Sequence, residues 1–376
     1  MHPTTRRLLP IAVIAPVAAA GVLLSAPASG DSAAKPAAPR PIVHDAADSK
    51  TEQRDVKQFW TVAKMAAAKP LTITRSRNGR TTAAPSTGGK AVMIKPVAPA
   101  AARVVRKGAA PAEEPSPAPE TTPSAAATPT PSPSASPSPT PSASLLAARS
   151  SGAPWTGAGA IVKTEGRVFF TYQGRNASCS GTAVSSANKS VVVTAGHCVK
   201  LGGAFHTNWV FVPGYNAGNR PHGTWIATSL LTTPQWNASE DMNYDMAAAV
   251  VAPLNGQRLV DVVGGQGVAF NQGRRKQMYA FGYPAASPYD GSKMIYCSGR
   301  AFDDFLLSSD HGLTCDMTGG SSGGGWFINF NETTGAGTLN SVNSFKYNFA
   351  SFWMFGPYFG NEAQAVYTAA QNEGTT

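Results

Sequence analysis

From about Trp155 onward, short apolar, β-branched and aromatic runs alternate with clusters of Gly, Pro, Asn and Ser. Residues 167–172, 190–194, 209–212, 247–251, 277–281, 325–330 and 338–345 are examples. Strands this short, separated by turn signals, predict an all-β barrel or sandwich. The convincing helix of this part spans 361–371, with an expected cap at Asn361 and Glu362 in the first turn. The upstream pattern is different. Residues 31–108 are Ala-rich and basic and read as a pro-region, largely disordered and without a core. Within them only 55–68 has helical spacing, placing Val56, Phe59, Trp60 and Ala63 on one face. Residues 109–144 repeat Pro, Ser, Thr and Ala, a composition that buries too little surface to fold and gives an extended spacer.

Charge sharpens this division. Of 31 Lys and Arg, 18 fall in residues 1–150, against 8 of the 21 Asp and Glu, so the net +10 (18 − 8) resides entirely there. The remainder is balanced at 13 against 13, which excludes a basic nucleic-acid-reading domain. The N-terminus has the pattern of an export signal. Arg6-Arg7 precede an apolar stretch from Leu8 to Leu24, then Ala26-Pro27-Ala28. At seventeen residues interrupted by Pro10 and Pro16, the stretch is short for a membrane span, which needs about 20 residues. The expected organisation is a signal peptide (1–30), a pro-region (31–108), a linker (109–150) and a folded domain (151–376).

The four cysteines, Cys179, Cys198, Cys297 and Cys315, all lie in the folded part. In an exported chain an even count favours disulfides, and three pairings are open. The near-neighbour pairing would close two short loops, each worth about 3 kcal/mol. No Cys-x-x-Cys is present, and no metal or cofactor is expected.

Three segments carry chemistry. His197 follows the run Val191-Val192-Val193-Thr194-Ala195-Gly196, and Asp245 precedes the run 247–251. Ser322 lies in Thr318-Gly319-Gly320-Ser321-Ser322-Gly323-Gly324-Gly325. A serine hydroxyl needs a base within hydrogen-bond reach, and imidazole oriented by a carboxylate supplies one. Amides at Gly320 and Ser322 could face a developing oxyanion. Asp241 competes with Asp245, but only Asp245 is followed directly by an apolar strand run. His206, His222 and His311 have no partner pattern and read as surface or turn residues.

Thr194-Ala195-Gly196-His197-Cys198, Asp245-Met246-Ala247 and Gly320-Ser321-Ser322-Gly323-Gly324 together resemble the chymotrypsin-like serine peptidases in order and spacing. Phe281-Gly282-Tyr283-Pro284 and residues 315–320 are similar to the bacterial secreted branch that includes the glutamyl endopeptidases. The resemblance covers about 155–365. It implies two six-stranded antiparallel β-barrels with the site between them, His197 as general base, Asp245 as its orienter and Ser322 as nucleophile. It also implies a Cys179–Cys198 disulfide and a secreted serine endopeptidase, free or cell-wall associated. The expected partner is a protein or peptide substrate, with no nucleic acid, no membrane span after signal cleavage, and a monomeric chain.

Ser321 stands where many animal members have Asp, which argues against activation by a salt bridge to a new N-terminus. Arg149-Ser150 offers one point for propeptide removal. Asp316, six residues before Ser322, reads either as a pocket carboxylate for basic side chains or as a structural acid. Ser344, Phe345 and Lys346 match the family's pocket wall, with Lys346 placed to neutralise Asp316 or to attract acidic side chains. The alternative function is a silent double-barrel binding module tethered at the cell surface.

Overall fold

A computed structural model describes residues 40–76, 89–100 and 149–375. The signal peptide and nearly all of the linker lie outside the described residues. Six strands close the first barrel: Glu165–Tyr172, Arg175–Ala183, Val191–Thr194, Thr207–Pro213, Trp225–Thr232 and Ala247–Val251. Each pairs antiparallel with its neighbours, and Trp225–Thr232 meets Ala247–Val251 to complete the ring. Val168, Phe169, Phe170, Val191, Val193, Phe211 and Leu230, distributed over the two faces of its strands, are fully buried.

The second half has two sheets. One runs in the order Gly267–Phe270, Ala336–Val342, Gly325–Asn331, Gln277–Gly282 and Ile295–Arg300. The other contains His311–Thr314, Ala350–Gly356 and Phe345–Tyr347. Pairing is antiparallel except between Gly267–Phe270 and Ala336–Val342. The helix Asn361–Asn372 returns to the first barrel, where Tyr367 Oη donates to Ser185 O (2.6 Å). Gly360, not Asn361, is its cap residue, and Asn361 Oδ1 accepts from Asn271 instead (3.0 Å). The architecture is the expected chymotrypsin-like double barrel with a C-terminal helix.

The expectation of a largely disordered pro-region fails for residues 40–76 and 89–100. Ile42–Asp45 pairs with the edge of Trp225–Thr232, and Val92–Ile94 with Gly267–Phe270. The single helix expected over 55–68 is two, Lys50–Phe59 and Val62–Ala67. A capping box between Ser49 and Glu52 starts the first, and Thr61 caps the second by accepting from Lys64 N. The break frees Trp60, whose indole is buried against Phe169 and donates Nε1–H to Asn208 O (2.6 Å). Ala47, Val56, Met65 and Ala68 join the same core. The segment has no core of its own because the barrel supplies one, and local periodicity cannot reveal so distant a partner. Among the described residues no helix is long and apolar enough to cross a membrane.

Candidate active site

Register brings His197 and Asp245 together. Ala247 pairs with Thr194 across two antiparallel strands, so the residues just before Ala247 face those just after Thr194. His197 sits on the short turn Gly196–Cys198, and Asp245 ends the turn Met242–Tyr244. Asp245 Oδ1 accepts the His197 backbone N–H (2.8 Å), and Oδ2 faces Nδ1 (2.7 Å). Both side chains are fully buried. A proton on Nδ1 leaves Nε2 as the acceptor of a neutral imidazole. Nε2 is buried and has no hydrogen-bond partner among the described residues. Gly196 is needed for this approach: a Cβ there would lie 2.7 Å from Trp236 and 2.9 Å from Asp245 Oδ1. Asp241, the competing acid, instead caps the Met242–Tyr244 turn through Asn243 N.

The glycine-rich loop is fixed mainly by backbone contacts. Ser180 N donates to Ser322 O (2.7 Å), Ser180 Oγ to Gly320 O (2.9 Å) and Gly323 N to Asn343 O (2.7 Å). Gly323 has φ +80°, and a Cβ there would meet Thr194 Oγ1 at 2.1 Å and Ala195 N at 2.9 Å. The loop carrying Ser322 thus presses against the strand end that leads to His197. Ser321 Oγ donates to Thr318 O (2.8 Å), a local bond that uses the side chain standing where the animal enzymes have Asp. Gly320 N donates to Leu71 O (3.1 Å), a carbonyl of the N-terminal segment.

Each of the expected pocket residues has a partner within the chain. Ser344 is buried and donates Oγ–H to Asp245 Oδ2 (2.5 Å), so its hydroxyl serves the carboxylate and not the pocket. Phe345 stacks on Phe355 in a small core cluster. Lys346 Nζ donates to Cys315 O (2.8 Å) and to Ser351 O, and makes no ion pair with Asp316 among the described residues. Burial lowers its ammonium to about 8, while the Asp316 charge works in the opposite direction. Asp316 is exposed and accepts from Tyr289 Oη (2.6 Å). Cys179–Cys198 and Cys297–Cys315 are both disulfides, so the sulfurs beside His197 offer no thiolate to a metal.

No family model and no curated protein matches the chain. Among solved structures, the chain is similar to the protease Anisep from Arthrobacter nicotinovorans at 46% identity and TM-score 0.55, covering 59% of this chain and 100% of that one. The chain belongs to the chymotrypsin-like serine peptidases. A thermostable serine protease, AL20, from an extremophilic microorganism is 41% identical with TM-score 0.54, covering 57% of this chain and 100% of its own. A Glu endopeptidase aligns at 16% identity with TM-score 0.46, a likeness that carries no closer placement.

Two residues of this peptidase's site escaped sequence reading. His206, expected at the surface, is buried, stacks on Phe170 (4.3 Å) and places Nε2 on His197 O (2.9 Å). Burial lowers its imidazole to about 4. Glu165 is buried under the serine loop and accepts from Thr182 Oγ (2.6 Å); desolvation pushes its carboxyl well above the ordinary range. His311 is likewise buried rather than exposed. No spacing rule identifies these three, since each is defined by what packs over it.

Proposed function

We propose that the protein is an extracellular serine endopeptidase in which Ser322 is the nucleophile, His197 the general base and Asp245 its orienter. Residues 1–30 act in export, and residues 109–150 tether an N-terminal pro-segment to the peptidase domain. The observation that carries this reading is the His197–Asp245 pair, which leaves a buried Nε2 with no hydrogen-bond partner among the described residues, while Gly323 of the serine loop packs against Thr194 and Ala195, just before His197. A binding module without chemistry gains nothing from burying an imidazole in that way, because an unsatisfied buried polar atom costs stability.

In the proposed reaction Ser322 Oγ loses its proton to His197 Nε2 as it bonds to the substrate carbonyl carbon. The carbonyl oxygen becomes an oxyanion received by the Gly320 and Ser322 amides, each such donor being worth about 2.7–4 kcal/mol. The imidazolium then protonates the amide nitrogen, the C–N bond breaks, and the amine departs from an acyl-Ser322 ester. Water, deprotonated by His197, hydrolyses that ester and restores the serine. Asp245 stays ionised throughout and stabilises the imidazolium.

An organophosphonate probe tests the assignment. Labelling of the protein that is absent in Ser322→Ala is the expected result. A folded chain that never labels, under any treatment that exposes the cleft, would sink it.

A further inference from the structure

We propose that residues 69–75 close the cleft as a strand running opposite to a substrate, so that the chain is held silent by a segment it does not cut. The proposal rests on the catalytic reading above. Four backbone hydrogen bonds lay this segment across both halves. Leu71 N donates to Ser178 O (3.0 Å), and Leu71 O accepts from Gly320 N (3.1 Å). Further on, Ile73 O accepts from Lys346 N (3.4 Å) and Arg75 O from Asn348 N (3.0 Å). Lys69–Pro70 pairs parallel with Arg175–Ala183, and Thr74–Arg75 parallel with Phe345–Tyr347. The Arg75 guanidinium reaches 5.7 Å from the Phe345 ring. Thr72 fills the space beside Gly319, where an added Cβ would lie 1.7 Å from Thr72 Oγ1.

The Leu71 carbonyl therefore occupies an amide assigned to the oxyanion. Its direction is wrong for cleavage. The leaving amine must take its proton from His197 Nε2, so residues after the reacting carbonyl belong toward the half that carries His197. Here it is the preceding residues, Lys69 and Pro70, that lie on the first barrel, next to Cys179 and the His197 turn it is bonded to. The residues that follow, 73–75, lie along the second half. The Leu71–Thr72 bond thus presents its nitrogen to the wrong side. The segment is anchored outside the cleft by the buried Trp60 and Met65. Pairing through main-chain groups gives affinity without requiring a cleavable sequence.

The test compares organophosphonate labelling rates of the full chain with those of Trp60→Ala, which loses the remote anchor, and Leu71→Pro, which loses the N–H to Ser178. Both variants are expected to label faster by about tenfold or more, since a buried indole contributes over a decade to a docking equilibrium. A synthetic peptide of residues 67–76 should slow a variant again, and a peptide of reversed sequence should not. Equal rates for all three chains overturn the proposal and leave the catalytic reading standing. If none labels, even with the segment displaced, the catalytic reading falls and the proposal with it. Mass spectrometry supplies the last arm: a product ending at Leu71 overturns the reversed direction. A variant that loses its melting transition is replaced by the other, which acts at a separate contact.

Discussion

His197 and Asp245 are held mainly by side chains, and the Ser322 loop is held mainly by backbone. His197 is fixed by two bonds to one carboxylate, one from its backbone N–H and one at Nδ1, the carboxylate by Ser344, and the turn by the His206 ring under it. The serine loop instead depends mainly on backbone bonds to Ser180 and Asn343, helped by the Ser180 hydroxyl and the Asn343 side-chain amide, with Gly323 packed against Thr194 where a Cβ would not fit. The first arrangement leaves one acceptor, His197 Nε2, without a partner among the described residues. The second leaves a donor facing outward, and the chain fills it with its own Leu71. A proton-handling pair needs fixed charges and tautomers, whereas an anion site needs free N–H groups and therefore attracts any carbonyl nearby.

The contrast can be broken most severely at the carboxylate. Asp245→Asn should lower kcat on a peptide substrate by about ten-thousand-fold, because an amide at that position misorients the imidazole tautomer. The melting temperature would change far less than activity; a fall in kcat under tenfold would mean another group orients His197. On the serine side the strongest single change is steric. Gly323→Ala forces a Cβ into Thr194 Oγ1 and a left-handed backbone onto alanine, displacing Ser322 by a fraction of an ångström to an ångström. Misplacement on that scale costs about a hundredfold in kcat. Its signature is a kcat loss with the His197–Asp245 pair intact, visible as an unchanged downfield imidazole proton resonance.

The smallest expected effect concerns the His206 prop. Its folded value of about 4 lies below the ordinary 6.5, so between those values the unfolded chain binds a proton that the folded chain refuses. Stability is fully present above about pH 6.5 and falls as pH drops toward 4, by about 3 kcal/mol from this group. His311, lowered to about 3 by burial, adds to the same slope and extends it further into acid. Thermal melts at successive pH values read the slope. His206→Gln should flatten it, and an unchanged slope would show that His206 is not the buried neutral group described here.

Much of this architecture was legible in the sequence because its strands carry apolar runs. Residues 247–251 were read with the bounds they have, and 277–281 and 325–330 end within one residue of theirs. The run 338–345 was read as one strand but is split, since Asn343 turns inward to bond Trp326 Nε1 and the Phe281 carbonyl. Arg175–Ala183 has no large apolar residue, yet most of it is buried; the Ser180 hydroxyl bonds backbone of the neighbouring half, a role without a periodic signature. His197 and Asp245 could be paired by motif and spacing. Ser344 could be placed beside them but not turned toward Asp245, since the direction of a hydroxyl depends on packing. The fit of residues 40–76 on the barrel was not legible at all, because Trp60 and Met65 find their partners more than a hundred positions along the chain.

The helix Asn361–Asn372 has a bearing on timing. It covers strands of the first barrel from Val191–Thr194 to Ala247–Val251, and Asn188 Nδ2 reaches the carbonyls of Ala370 and Glu373. It also follows both halves in the order of synthesis. The first barrel, whose six strands all precede the second half in the chain, therefore waits for that half to be made before its outer face is covered. Residues 69–75 emerge long before either. On a growing chain the segment that bonds Ser178 and Gly320 is therefore in hand before the serine loop exists.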